Sequence, residues 1–158
     1  MLFFFLCLFV AAITLADQLT KYLVVANIPL FGKVPFLDGL LHFTHTQNFG
    51  AAFSSLQGMR WLFVAIFVVL TAAIVYEYFK KPLAFSKFDR WCIAAIYGGG
   101  LGNVIDRVRL GYVVDMIELE FMDFAVFNVA DCFITCGCIA LMVSLTFFNK
   151  DFWKEEKK

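Results

Sequence analysis

WLFVAIFVVLTAAIVYEYF, residues 61–79, is apolar through its whole middle. Its nineteen residues come close to the ~20 that a helix needs to cross the hydrocarbon of a bilayer. Three further stretches read the same way: Met1 to about Val25, Trp91–Ile105 and Phe124–Phe148. The first is polar only at Asp17, Gln18, Thr20 and Lys21, and it lacks the basic start and small-residue cleavage site of a removable leader, so it counts as a span. The third is short unless Asp106 and Arg107 lie at membrane depth or its end is buried in protein. The expected fold is an all-α membrane protein, one domain over residues 1–158 with four transmembrane helices. An outer loop over about residues 26–60 is expected to carry a small β element and an interfacial helix.

Composition points to the same solvent. Of the 158 residues, 62 % are apolar, 16 % are charged and 21 are Phe, against about 45–50 % apolar and about 25 % charged in a soluble domain. A net charge of zero leaves no basic stripe for nucleic acid. Cys7, Cys92, Cys132, Cys136 and Cys138 are odd in number, lie in apolar stretches and form no Cys-x-x-Cys pair, which indicates neither a disulfide framework nor a zinc site. Eight of the thirteen basic residues fall in two places: Lys80, Lys81, Lys87 and Arg90, and Lys150, Lys154, Lys157 and Lys158. The positive-inside rule puts both segments, and hence both termini, in the cytoplasm. The segments at about 26–60 and 106–123 then face outward. In the first, Leu40–Thr46 alternates in part and is rich in strand formers, and Leu56–Phe63 reads as the interfacial helix.

Carboxylates near lipid cost several kcal/mol unless paired, and tend to mark function. Asp17, Asp106, Asp115 and Asp131 all fall near the outer ends of expected spans. Asp17 has a partner one turn on in Lys21, Asp106 has one beside it in Arg107, and Asp115 alone reads as a loop acid. Asp131 is the hardest to explain structurally, because its span continues apolar beyond it. A chain reversal between Asp115 and Asp131 would bring two carboxyls together. Such a pair keeps one proton, and can activate water while polarising a peptide carbonyl. Asn48 and Asn128 suit either orienting a substrate carbonyl or a carboxylate, or capping a turn or helix. Gly98, Gly99, Gly100 and Gly102 suit close helix packing, not a phosphate loop. His42 and His45 lack further ligands for a metal, and no cofactor is implied. On this reading alone three functions stay open: a peptidase, a small proton-coupled transporter using Asp17, Asp106 and Asp131 as a relay, and a non-enzymatic assembly factor.

Five motifs narrow the choice. Asp17-Gln18-Leu19-Thr20-Lys21, Asn48-Phe49-Gly50-Ala51-Ala52-Phe53-Ser54, Gly102-Asn103-Val104-Ile105-Asp106-Arg107, Gly111-Tyr112-Val113-Val114-Asp115 and Phe127-Asn128-Val129-Ala130-Asp131 occur in this order along the chain. Together they resemble the signature boxes of the lipoprotein signal peptidases, the type II signal peptidases of bacteria. The resemblance implies an aspartyl endopeptidase of the bacterial inner membrane that acts near the outer face. It would cleave a prolipoprotein just before a Cys already carrying diacylglyceryl. Asp115 and Asp131 would be the catalytic pair. Asp17, Asn48, Gly50, Asn103, Asp106, Arg107 and Asn128 would support it or contact substrate, and Ala130 would leave room beside it. Nothing in the sequence demands a partner chain, so a monomer in contact with membrane lipid and substrate is expected.

Overall fold

The structure, a computed structural model, describes residues 1–50, 55–79 and 84–153. Four α-helices and one small sheet alternate along the chain: α1 (Leu2–Asn27), β1 (Lys33–Leu37), β2 (Leu41–Asn48), α2 (Arg60–Phe79), α3 (Lys87–Arg109), β3 (Val113–Leu119) and α4 (Val129–Val143). A π-helical turn, Ser144–Phe148, and a 3-10 turn, Lys150–Trp153, continue α4.

Local chemistry sets the boundaries. Ile28 closes α1 by donating its N–H to the Val24 carbonyl, and Pro29 follows, which cannot continue a helix. Ser86 and Asp89 form a reciprocal capping box that starts α3 earlier than residue 91. Asn128 and Asp131 form the same box at the start of α4. That cap corrects the expected fourth span: helix begins at Val129, not Phe124. The preceding residues run without helix, and Phe127 exchanges backbone hydrogen bonds with Ile117 at the edge of β3. Asp131 therefore lies in the first turn of α4.

α3 touches α1, α2 and α4, and the glycine face is where they close in. A Cβ on Gly99 would stand 2.5 Å from the Ala130 carbonyl oxygen, and one on Gly102 would strike the Asp17 carboxylate. Ile13, Asp17 and Lys21 of α1 meet Gly98, Gly102 and Asp106 of α3 in rising order, so these two helices run together. Phe63, Thr71 and Glu77 of α2 meet Arg107, Tyr97 and Arg90 in falling order, and α4 runs likewise, with Ala130 against Gly99 and Gly137 against Cys92. Among the described residues, three helices are long and apolar enough to cross a membrane: Leu2–Asn27, Arg60–Phe79 and Val129–Phe148. α3 is not among them. It packs against the other three helices, with Asn103 and Asp106 buried and Arg107 half-buried.

The sheet is antiparallel in the order β1-β2-β3 and sits where α1 and α3 end. It rests on a small core of Val24, Ile28, Val114 and Met116, flanked by Phe43, Tyr112 and Ile117. A small β element was expected from the first outer loop, around Leu40–Thr46, and it forms there as β1 and β2. The third strand, from a segment read as loop, is an addition. The expected interfacial helix over 56–63 is replaced by turns at residues 55–58, with Leu56 at φ +53° and Gly58 at φ +77°, followed directly by α2. Of the basic residues that set the orientation, Lys80, Lys81, Lys154, Lys157 and Lys158 lie outside the described residues, as do Ala51–Ser54 of the second motif. Lys87, Arg90 and Lys150 lie at the end of the bundle away from the sheet.

Candidate active site

The polar residues of the motifs gather where α1, α3 and α4 meet the sheet. Asp17 does not end its helix. It lies well inside α1, fully buried, with ten residues of helix still to follow. Four residues on, the Lys21 ammonium is also buried and spends its three protons on three acceptors: Asp17 Oδ2 at 2.8 Å, Asp106 Oδ2 at 2.9 Å and Asn103 Oδ1 at 2.9 Å. A buried cation needs such complete pairing. Asp106 thus pairs with Lys21 and not with its neighbour Arg107, as the sequence suggested. Each carboxylate also holds a second element. Asp17 Oδ1 accepts the Ala130 N–H at 3.0 Å, which suits an anion at a helix N-terminus, and Asp106 Oδ2 accepts the Val114 N–H of β3 at 3.2 Å. Gln18 Nε2 donates to Asp106 Oδ1 at 2.9 Å.

Lys21 and Gln18 are the members that sequence reasoning left out of the candidate set. The available signal was electrostatic, since two buried carboxylates require a cation and Lys21 is one helical turn from Asp17.

Above this ion cluster lies an amide layer. Asn128 Nδ2 donates to Asp115 Oδ1 at 2.6 Å and to Asn103 Oδ1 at 3.2 Å. Its Oδ1 accepts the Asp131 N–H at 3.0 Å, while its own N–H donates to Asp131 Oδ2 at 3.2 Å. Asn103 Nδ2 donates to Asp131 Oδ1 at 2.8 Å. A single asparagine therefore bonds to both Asp115 and Asp131, one from β3 and one from α4. Capping and carboxylate orientation, weighed as alternatives for Asn128, are performed together. Asn48 Nδ2 donates to the other Asp115 oxygen, Oδ2, at 2.9 Å.

Asp115 is buried, and that burial pushes its carboxyl up to about 6. The hydrogen bond from Asn48 opposes the rise, the nearby Asp131 charge adds to it, and Asn128 and Lys21 pull it down.

Arg107 ties down the approach to this layer. Its Nη2 donates to the Gly50 carbonyl at 2.9 Å and its Nη1 to the Asn103 carbonyl at 3.3 Å, and its guanidinium lies 4.4 Å over the Phe63 ring. Gly50 N–H donates to Asn48 Oδ1 at 2.9 Å, and a Cβ at Gly50 would collide with the Ser55 carbonyl oxygen. Ala130 is fully buried against α3, with its N–H committed to Asp17. It packs the helix junction beneath the carboxylates. An apolar groove of about 880 Å³ runs between α1 and α2 along α3, from Met1 and Phe79 up to Leu15 and Leu101. It ends short of the Asn103 layer.

Apolar helices closed around a buried, carboxylate-lined centre define the class as a membrane enzyme. A family profile described as "Signal peptidase (SPase) II" matches residues 9–147. The chain is 44 % identical over 140 residues to the "Lipoprotein signal peptidase" of Streptococcus pyogenes serotype M2 (strain MGAS10270), covering 89 % of this chain and 87 % of that one. The protein of the same name from serotype M3 (strain MGAS315) is 43 % identical over the same shares. Two solved structures share the fold. A "Bacterial membrane enzyme structure by the in meso method at 2.3 A resolution" has a TM-score of 0.82 at 31 % identity, covering 97 % of this chain and 93 % of that one. A second, at 1.9 Å, has a TM-score of 0.80 at 32 % identity, covering 90 % and 93 %. The chain belongs to the signal peptidase II family and is a protease.

Proposed function

We propose that this protease is an aspartyl endopeptidase in which Asp115 and Asp131 act as one catalytic pair. It removes signal peptides from prolipoproteins by cutting just before the diacylglyceryl-bearing Cys. The observation that carries the reading is the Asn128 bridge, in which one residue donates from its side chain to the Asp115 carboxylate on β3 and from its backbone N–H to the Asp131 carboxylate on α4. Asp115, drawn up to about 6 by burial and in part by the Asp131 charge, keeps its proton to higher pH than an ordinary carboxyl and is the protonated partner. The ionised partner takes a proton from the attacking water, and the protonated partner stabilises the developing oxyanion on the scissile carbonyl. Asn103, Asn128 and Asn48 keep both carboxyls oriented, and the Lys21–Asp17–Asp106 cluster holds β3 and α4, the two elements that carry them.

In the same proposal the chain is a single domain that crosses a bacterial inner membrane four times, α3 being the fourth crossing. The Lys87 end faces the cytoplasm and the sheet faces outward. The lipid chains and the apolar signal helix of the substrate partition into the bilayer, which brings the scissile bond to the outer interface without demanding a soluble docking surface. A proton relay is the weaker reading, because all four acids lie toward the sheet end and none continues the path to the opposite end.

The test is cleavage in proteoliposomes of a precursor with and without the diacylglyceryl group, with the products read by mass spectrometry. The lipidated precursor should be cut at the bond before its Cys, and the unmodified one should not. Cleavage of both at equal rates would contradict the substrate assignment.

A further inference from the structure

β2 and β3 do not keep one register. Leu41, His42 and Phe43 pair with Leu119, Glu118 and Ile117, whereas Thr46, Gln47 and Asn48 pair with Asp115, Val114 and Val113. Thr44 and His45 therefore share a single opposite residue, Met116, which makes a β-bulge. The extra residue has a consequence at Asp115. Had the first register continued, His45 would oppose Asp115, and Gln47 would replace Asn48 on the face that carries the carboxylate. One residue of slip exchanges the faces of a strand. The Asn48–Asp115 hydrogen bond thus exists only because the bulge does.

The bulge is held in place from the turn after α1. His45 Nδ1–H donates to the Ile28 carbonyl at 2.9 Å, the His45 carbonyl accepts the Phe31 N–H at 2.8 Å, and Thr44 Oγ1 donates to the Gly32 carbonyl at 3.0 Å. Both bulge side chains are buried. Among the described residues His45 Nε2 has no hydrogen-bond partner, and the ring's polar tie there is the one to Ile28. Phe31 sits at φ +63°, a left-handed conformation that non-glycine residues hold only where surrounding bonds enforce it, and its N–H is bonded to His45. Ile28 in turn is the C-cap of α1, the helix that carries Asp17 and Lys21.

We infer that His45 is a positioning residue: through its bond to Ile28 it locks the bulge that turns Asn48 toward Asp115, and so couples the end of α1 to the geometry of the catalytic pair. The inference rests on the proposed role of Asp115 for its effect on turnover. The geometric part, His45 controlling Asn48, can be read without turnover.

The charged groups that face Asp115 are Asp131 from α4, Lys21 from α1 and Arg107 from α3. Asp131 and Arg107 lie on elements that His45 does not bond, while Lys21 lies on the helix that Ile28 ends, so agreement with Asn48→Ala and the double variant, and not the shift alone, reports on Asn48. The experiment is a ¹³C-carboxyl titration of Asp115 in His45→Val, Asn48→Ala, the double variant and His45→Asn, alongside kcat and KM for a lipidated precursor. His45→Val, which removes the donor and favours a regular ladder, should move the Asp115 titration upward by as much as Asn48→Ala does. The double variant should move it no further, and His45→Asn, which keeps a donor near the Nδ1 position, should restore it. The kcat of His45→Val should fall about tenfold or more with little change in KM. Should His45→Val fail to fold, His45→Phe removes the same donor while filling the buried site and carries the same comparison. An unmoved Asp115 titration, or shifts from His45→Val and Asn48→Ala that add, would overturn the inference. Asp115→Asn, assayed beside them, separates the two claims: an active Asp115→Asn enzyme removes the catalytic pair, while the titration still decides what His45 does.

Discussion

Asn128 and Lys21 carry the most structural consequence of any two side chains in the site. The Asn128 side chain serves the Asp115 carboxylate and a helix cap while its backbone N–H serves Asp131, and Lys21 serves two carboxylates and an amide. Replacing Lys21 by Met leaves Asp17 and Asp106 buried without their cation, and a broken buried pair costs about 3–5 kcal/mol. Thermal unfolding in detergent should therefore show Lys21→Met far less stable than the parent, and an unchanged melting temperature would contradict the ion cluster. Asp115 gives a pH expectation. With its carboxyl raised from the usual carboxylate range to about 6, the folded protein retains a proton that the unfolded chain has lost. The stabilisation from that proton is complete below about pH 4 and disappears as pH rises through about 6. Activity should follow the same proton, with kcat declining as the pair loses it above about 6. Asn48→Ala removes a hydrogen bond that favours the ionised form, so the declining limb should move to higher pH. A kcat profile whose limb ignores Asn48→Ala would place the titrating group elsewhere.

The elements show why some of the structure was legible in sequence and some was not. α2 declared itself by length and hydropathy, because no residue of it is buried and lipid alone dictates its composition. Strand β3 did not: Val113–Met116 are buried without alternation, so the period-2 signal that marks a half-exposed strand is missing. The residues before α4 misled for a related reason. An apolar run reads equally as helix or as extended chain, and only the Asn128–Asp131 capping box decides where the helix starts. Asp17 was placed at a span end because composition carries no depth, whereas its partners on α3 and α4 lie 85 or more positions away in the sequence. The motif residues, scattered along the sequence, are brought by the structure into one hydrogen-bonded network of Asp17, Asn48, Asn103, Asp106, Asn128 and Asp115 with Asp131. At this scale the close approach of α3 and α4 is testable. Gly99→Ala forces a methyl against the Ala130 carbonyl and the Ile134 side chain, lifting Ala130 and Asp131 away from Asn103. Overpacking of this kind costs about 1–3 kcal/mol, so both stability and cleavage should fall. A fully active, equally stable Gly99→Ala protein would mean that the helices can part without moving the site.

On the scale of the whole molecule, the protein is built inside out relative to a soluble enzyme. Apolar side chains such as Phe3, Val69, Tyr76 and Phe148 point outward, and charges collect at the centre. A cluster of buried apolar side chains sits at the junction of α1 with the sheet, with Ile13, Cys92, Ala94 and Ala130 buried singly between the helices, which gain cohesion from close glycine packing and from the Lys21 cluster. Both end groups of the bundle are available to a topology test. In a chain freed of its five native cysteines, a cysteine placed at exposed Asp38 in the β1–β2 turn should react with an impermeant thiol reagent added outside intact cells. One at exposed Lys87 should react only after permeabilisation. The reverse pattern would invert the proposed orientation.

The most direct test of the catalytic pair is single-turnover cleavage of a lipidated precursor by Asp115→Asn, Asp131→Asn and the double variant, all reconstituted and shown to be folded. Groups that act as a unit lose their function together. Each single change should lower the rate to background, and the double variant should be no slower. Substantial cleavage by either single variant, or losses that multiply in the double, would contradict a mechanism in which the two carboxyls share one proton.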